Sequence, residues 1–151
     1  MIIDDDAALQ LVISLHRLLR GLRRAAPADG IQPTQIVLLS LLAESGPARI
    51  GALAARVPCS QPTATAAVTG LAAAGLVLRE PDPTDGRASR IVLTEKGVRA
   101  LVEAARAEAE VLAWRLGALA DEEARAVVAL GPLLRRLAET APDGTDPVGR
   151  V

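Results

Sequence analysis

Residues 57–97 read VPCSQPTATAAVTGLAAAGLVLREPDPTDGRASRIVLTEKG, and the changes of period within this stretch decide the fold. Ser60 is a good N-cap, and Pro62 is tolerated in a first helical turn whose N–H groups lack helical partners. A helix is therefore expected from Ser60 to Ala74, with Gly75 as its C-terminal stop. Leu76-Val77-Leu78-Arg79 and Ser89-Arg90-Ile91-Val92-Leu93 are short strand-like runs. The turn residues Pro81-Asp82-Pro83-Thr84-Asp85-Gly86 between them predict a hairpin. Thr94 then caps a further helix.

Upstream, Ile50 to Val57 forms a short helix with Ile50, Leu53, Ala54 and Val57 on one face, ended by Pro58. An earlier helix follows Pro33-Thr34, carries Ile36, Leu38, Leu39, Leu41 and Leu42, and stops at Ser45-Gly46-Pro47. Residues 7–25 make an amphipathic first helix with Leu9, Val12, Ile13, His16 and Leu19 at helical spacing, closed by Pro27 and Asp29-Gly30. Downstream, Val98, Leu101, Val102, Ala105, Leu112 and Leu116 line a long helix. Asp121-Glu122-Glu123 opens the last helix, acidic where the helix dipole favours it, and Gly131-Pro132 kinks it before about Leu137. Residues 140–151, rich in Pro, Gly and Asp from Pro142 onward, are expected to be disordered. The expected fold is mainly α with a small β-hairpin.

At 151 residues the expectation is one chain unit with a real core. Half the residues are apolar, yet Trp114 is the single aromatic, so Leu, Val and Ala must fill that core. One cysteine excludes an internal disulfide framework and fits a reducing cytoplasm. The start Met1-Ile2-Ile3-Asp4-Asp5-Asp6 lacks the pattern of a signal peptide, and no apolar run suits a membrane span. A cytoplasmic protein without membrane partners is expected.

Net charge is −1, but its distribution is uneven. Between Pro47 and Arg99 stand Arg49, Arg56, Arg79, Arg87, Arg90, Lys96 and Arg99 against only Glu80, Asp82, Asp85 and Glu95. The middle is positive and the flanks negative, as expected where one face meets phosphate. Leu53 to Ser60 joins two helices by a tight turn, the arrangement of a helix-turn-helix whose second helix offers its first turns to a DNA major groove. Ser60, Gln61, Pro62, Thr63, Thr65, Ala66 and Thr69 would lie there; free N–H groups suit a phosphate, and Gln and Thr suit base edges or thymine methyls. Val68 and Leu71 would face the core. Arg87 and Arg90 flank the hairpin turn, where a narrow minor groove is a fitting target for arginine.

Asp85-Gly86-Arg87-Ala88-Ser89-Arg90-Ile91-Val92-Leu93-Thr94-Glu95-Lys96-Gly97 closely resembles the wing signature of MarR-type winged helix-turn-helix regulators, as do Gly75-Leu76-Val77 and Asp82-Pro83. The resemblance extends over nearly the whole chain, in the order of six helices with a wing between the fourth and fifth. It implies a DNA-binding lobe over 31–99 and a dimerisation region over 7–30 and 100–139. It also implies a homodimer, joined by its N- and C-terminal helices, on palindromic double-stranded DNA and usually repressing transcription. By position, Arg87 would enter the minor groove and Asp85 would fix the wing by pairing with an arginine. Members of the family often carry basic residues in the recognition helix, where this chain has Ala66 and Gly70. Phosphate attraction would then fall to Arg49, Arg56, Arg79, Arg87 and Arg90, and the small residues leave room for a close approach to the bases.

The resemblance further implies a ligand cleft between the dimerisation helices and the lobe. His16, Arg17 and Arg20 are the candidates to border it, for a small anionic or aromatic ligand such as a phenolic acid. One histidine without neighbouring cysteine makes no metal site, and no cofactor is expected. Cys59 stands in the helix-turn-helix turn and reads as a buried structural thiol rather than a redox sensor. Trp114 is expected where long helices cross. The long apolar faces of the first and last helices need a partner, for which a two-fold copy is the natural source; recognition helices would then stand roughly 34 Å apart. No nucleophile–base pair, metal cluster or phosphate loop points to an enzyme. The remaining alternative is a dimeric small-molecule sensor or interaction module with weak or lost DNA binding, which the uncharged recognition helix favours.

Overall fold

The computed structural model describes residues 4–26 and 30–140. Met1 to Ile3, the expected helix-closing Pro27 and Asp29, and all of the expected disordered tail except Thr140 lie outside them. The described chain forms α1 (Asp5–Ala25), α2 (Pro33–Ser45), β1 (Ala48–Arg49), α3 (Ile50–Ala55), α4 (Gln61–Ala73), β2 (Val77–Pro81), β3 (Ser89–Leu93), α5 (Glu95–Leu116), α6 (Asp121–Ala129) and α7 (Gly131–Glu139). The helix order matches the sequence reading, with the last helix divided in two. Leu130 keeps helical backbone angles between α6 and α7, while Pro132 in the first turn of α7 cannot donate back across the joint. No helix among the described residues is long and apolar enough to cross a membrane.

The chain divides into a unit up to Val111 and a second from Leu112. In the first unit the sheet has three strands, not the two expected. Its order is β1-β3-β2, antiparallel throughout, with Arg49 opposite Arg90 and Arg79 opposite Ile91. β1 is two residues long, too short to show a period in the sequence. The core is built from aliphatic side chains: Leu38, Leu39 and Leu42 from α2, Leu53 from α3, Val68 and Leu71 from α4, and Leu76, Val77 and Ile91 around the strands. Cys59 packs half-buried against this cluster.

The first helix contributes little to that core. Leu22 is its buried residue, whereas Leu9, Leu11, Val12, Ile13 and Leu19 are exposed. In the second unit Val127, Val128, Leu130, Leu133, Leu134 and Leu137 are exposed as well. Trp114 departs from its expected place at a helix crossing: it is 78% exposed, because no element of its own unit covers it.

The end of α4 is joined closely to the start of α5. Gly75 adopts φ +75°, the left-handed C-terminal turn that glycine tolerates. The Thr94 hydroxyl donates to the Gly75 carbonyl at 2.7 Å and accepts the Gly97 N–H at 3.0 Å, so one side chain caps α5 and binds α4's exit. The Lys96 ammonium donates to the Ala74 carbonyl at 2.7 Å. Gly97 itself lies so near β2 that a β-carbon there would fall on the Leu76 carbonyl oxygen and 2.7 Å from Leu93 Cδ1. Backbone atoms cannot move aside as a flexible side chain would. Gly97→Ala is therefore expected to lower unfolding free energy by about 1–3 kcal/mol, the usual range for overpacking, measured by denaturant titration; an unchanged midpoint would show that α5 can slide away freely.

Candidate nucleic-acid interface

α3 and α4 are joined by residues 56–60, and the Ser60 cap does as its residue type requires. Its hydroxyl oxygen accepts the Thr63 N–H at 3.3 Å and lies 2.8 Å from Thr63 Oγ1. Ala64, Val68 and Leu71 are buried, which turns Gln61, Pro62, Thr63, Thr65, Ala66 and Thr69 outward together with Ser60. Thr65 donates its hydroxyl proton to the Gln61 carbonyl and Thr69 donates to the Thr65 carbonyl, each at 2.9 Å. Arg79, exposed on β2, donates from Nη2 to Thr69 Oγ1 at 3.3 Å. Helix and wing base thus share one exposed polar cluster.

Gly70 has a different role from the one expected. Its missing side chain gives room to Gln35 of α2, whose Nε2 lies 2.8 Å from where a β-carbon would stand. That nitrogen donates to the Ala67 carbonyl at 3.3 Å, while Gln35 Oε1 accepts the Gln32 N–H at 2.9 Å. The space at position 70 therefore serves helix–helix packing, and only Ala66 leaves room on the outward face.

The wing tip is organised by Asp82 rather than by Asp85. Asp82 Oδ2 accepts from Arg49 Nε at 2.7 Å. Its Oδ1 accepts from the Thr84 N–H at 2.8 Å, the Thr84 hydroxyl at 2.6 Å and the Asp85 N–H at 3.3 Å. The expected arginine pair of Asp85 is absent among the described residues; its carboxylate instead accepts the Arg87 backbone N–H at 3.1 Å. The reason is positional, since β1 brings Arg49 beside Asp82, one residue past the end of β2. The Arg49 guanidinium, with the Thr84 hydroxyl and N–H, holds the Asp82 carboxyl well below the usual carboxylate range, and Arg49 is held more firmly protonated in return.

The basic residues of the lobe fall into distinct states. Arg49 pairs with Asp82, Arg90 with Glu80 across the strands, and Arg99 with Glu95 along α5. Arg56 donates to the Ser45 hydroxyl at 2.6 Å, so its charge is not offset, and the same holds for Arg79 and Lys96. Arg87 is exposed, and among the described residues its guanidinium has no partner. The part in phosphate attraction expected of Arg49 and Arg90 is reduced, because each already faces a carboxylate.

The profile of the MarR family matches residues 31–89, the span from α2 to the first residue of β3. An uncharacterised HTH-type transcriptional regulator of Mycobacterium bovis is 34% identical over 142 residues, covering 93% of this chain and 99% of the relative. The chain belongs to the MarR family. The solved structure of a MarR family protein from Bacillus stearothermophilus is 28% identical with a TM-score of 0.65, covering 91% of this chain and 97% of that one. The PcaV transcriptional regulator of Streptomyces coelicolor, solved in complex with its natural ligand, is 26% identical with a TM-score of 0.58 and covers 94% and 100%. This MarR-family chain is thus a transcriptional regulator of the DNA-binding, winged helix-turn-helix kind.

Of the candidate ligand residues in this MarR-family chain, His16 and Arg20 border one hollow of about 430 Å³, with Leu19, Arg23, Arg24 and Pro33. Arg17 is exposed on α1 and lies outside that lining. Sequence reading missed Arg23 here, and it takes Arg24, which recurs with Arg17 and Arg20 on one side of α1, as part of a solvated face. It also missed the Arg49–Asp82 clamp, since nothing local links residues 33 apart.

Asp82→Ala is expected to release the wing tip without unfolding the lobe, read as faster amide exchange at Thr84, Asp85 and Arg87 with a near-unchanged melting temperature. Because the folded carboxyl is depressed, its contribution is complete above the ordinary value of 3.8 and is lost only as pH falls toward the folded value. Wing amide exchange, corrected for intrinsic rate, is therefore expected to be constant between about pH 4.5 and 7; loosening at pH 5 would contradict the clamp.

Proposed function

We propose that this chain is a cytoplasmic, homodimeric repressor, not an enzyme, that binds a palindromic operator and loses affinity when a small anionic or aromatic ligand binds. Ser60, Gln61, Pro62, Thr63, Thr65, Ala66 and Thr69 face the major groove, Arg79 and Arg90 stand on the wing strands, and Asp85 shapes the turn that presents Arg87 to the minor groove. The observation that carries this reading is Arg87, exposed at the wing tip with no partner for its guanidinium among the described residues. An arginine so placed is drawn to the strong negative potential of a narrow minor groove.

The dimer is supported by unpaired apolar surface at both ends of the chain. Leu9 and Leu11 are each 53% exposed, Val128 is 64% and Leu137 is 66%. Surfaces of this kind, repeated along α1, α6 and α7, are covered in water by another molecule, and a two-fold copy supplies matching faces. The arginine-lined hollow beside His16 supports an anionic ligand, and the ligand-bound Streptomyces coelicolor relative supports small-molecule control.

The uncharged α4 favours a second reading, a dimeric sensor or interaction module with weak or lost DNA binding. Selection from random duplex DNA separates the two. The regulator is expected to return a palindrome, and Arg87→Ala to weaken binding to it roughly tenfold or more. No specific binding even near ~50 mM salt, where phosphate contacts are strongest, would favour the second reading. Light scattering at micromolar concentration is expected to give twice the mass of the chain; a monomer would overturn the dimer.

A further inference from the structure

The outward face of α4 is chemically narrow. Residues 61–73 carry no charged side chain, which removes the arginine and lysine that read guanine and the carboxylates that read cytosine. The hydroxyls do not make up for this loss. Thr65 and Thr69 have committed their protons to the Gln61 and Thr65 carbonyls, and Thr69 Oγ1 also accepts from Arg79. Ser60 and Thr63 share one hydroxyl–hydroxyl bond, which leaves a single hydroxyl proton at the very start of the helix, and Pro62 has no N–H. Beyond that cap, what remains is the Gln61 amide, exposed and without a partner among the described residues, together with the methyl groups of Thr65, Ala66 and Thr69.

We propose that α4 reads A·T base pairs, with Gln61 as its specificity-determining side chain and the Thr65, Ala66 and Thr69 methyls packing on thymine methyls. A primary amide matches the N6 donor and N7 acceptor of adenine, and a methyl patch matches the one apolar group in the major groove. The wing adds a separate reason. Arg87 is best received by the narrow minor groove of A-tracts, so both reading elements select the same base pairs. This inference rests on the proposal that α4 enters the major groove, and it adds which bases are read.

The test uses the full-length protein and a duplex selected from random DNA. The selected half-site is expected to be rich in adenine and thymine. Replacing a contacted thymine by deoxyuridine removes only the methyl and is expected to weaken binding roughly fourfold per thymine, from the burial of one methyl-sized group. Gln61→Ala is expected to relax preference at a single base pair. Thr65→Ser keeps the hydroxyl, removes the methyl and is expected to lose affinity as deoxyuridine does. A G·C-rich site, indifference to deoxyuridine, or a Thr65→Ser variant that binds as the parent does would overturn the inference while leaving DNA binding intact. Failure to select any duplex at low salt would overturn the underlying reading instead, and this proposal with it. The deoxyuridine arm uses unaltered protein, so a poorly folding variant cannot hide the answer.

Discussion

The lobe is held in register by the contact between the end of α4 and the beginning of α5. Thr94 ties the Gly75 carbonyl to the first turn of α5, Lys96 neutralises the Ala74 carbonyl at the negative end of α4, and Gly97 permits the backbone of α5 to rest on Leu76. These contacts lie behind α4. They fix its rotation, and with it the set of residues turned outward, without using any side chain of the outward face. They also set the start of β2, because the Leu76 carbonyl that meets Gly97 accepts the Thr94 N–H at 3.1 Å. The Thr94-Glu95-Lys96-Gly97 string is thus an account of geometry: a hydroxyl, a cation and a missing β-carbon at the three places that need them.

The second organising element is charge placed to give shape. An exposed ion pair adds little to stability, so Arg49–Asp82 and Arg90–Glu80 are better understood by what they fix. One fastens the wing tip to β1, and the other lies across β2 and β3. Spending two arginines in this way leaves Arg56, Arg79, Arg87 and Lys96 as the uncompensated cations of the lobe. A net charge of −1 for the whole chain is then compatible with a positive face, because the acidic excess lies in sequence outside residues 47–99.

Much of this architecture was legible in the sequence, and the exceptions share a cause. The caps at Ser60 and Thr94, the Gly75 stop, the hairpin and the Gly131-Pro132 kink are set by neighbours within a few residues, so local chemistry sufficed. β1 escaped notice because two residues carry no period. The Asp82 clamp and the Gln35–Gly70 contact join residues distant in the sequence, and no local signal marks them. Trp114 was placed by its residue type alone, and type does not say whether its own chain covers a side chain. In the candidate interface, the identity of the outward residues was readable, whereas the commitment of their hydroxyls depended on rotamers that only coordinates show.

That commitment changes the meaning of an uncharged recognition helix. Long arginine and lysine side chains lose considerable rotamer freedom when they are fixed against DNA. Threonine is already stiff at χ1, and a hydroxyl bonded to the carbonyl four residues back selects one of its remaining rotamers. Thr65 and Thr69 are both held in this way. Their face is therefore preorganised, and association has little left to order there. The absence of charge removes attraction at long range, which Arg79 and Arg87 on the adjoining wing replace, but it leaves a rigid surface for contact at short range. A cationic wing thus stands beside a neutral helix whose stiffness follows from the hydrogen bonds of two threonines.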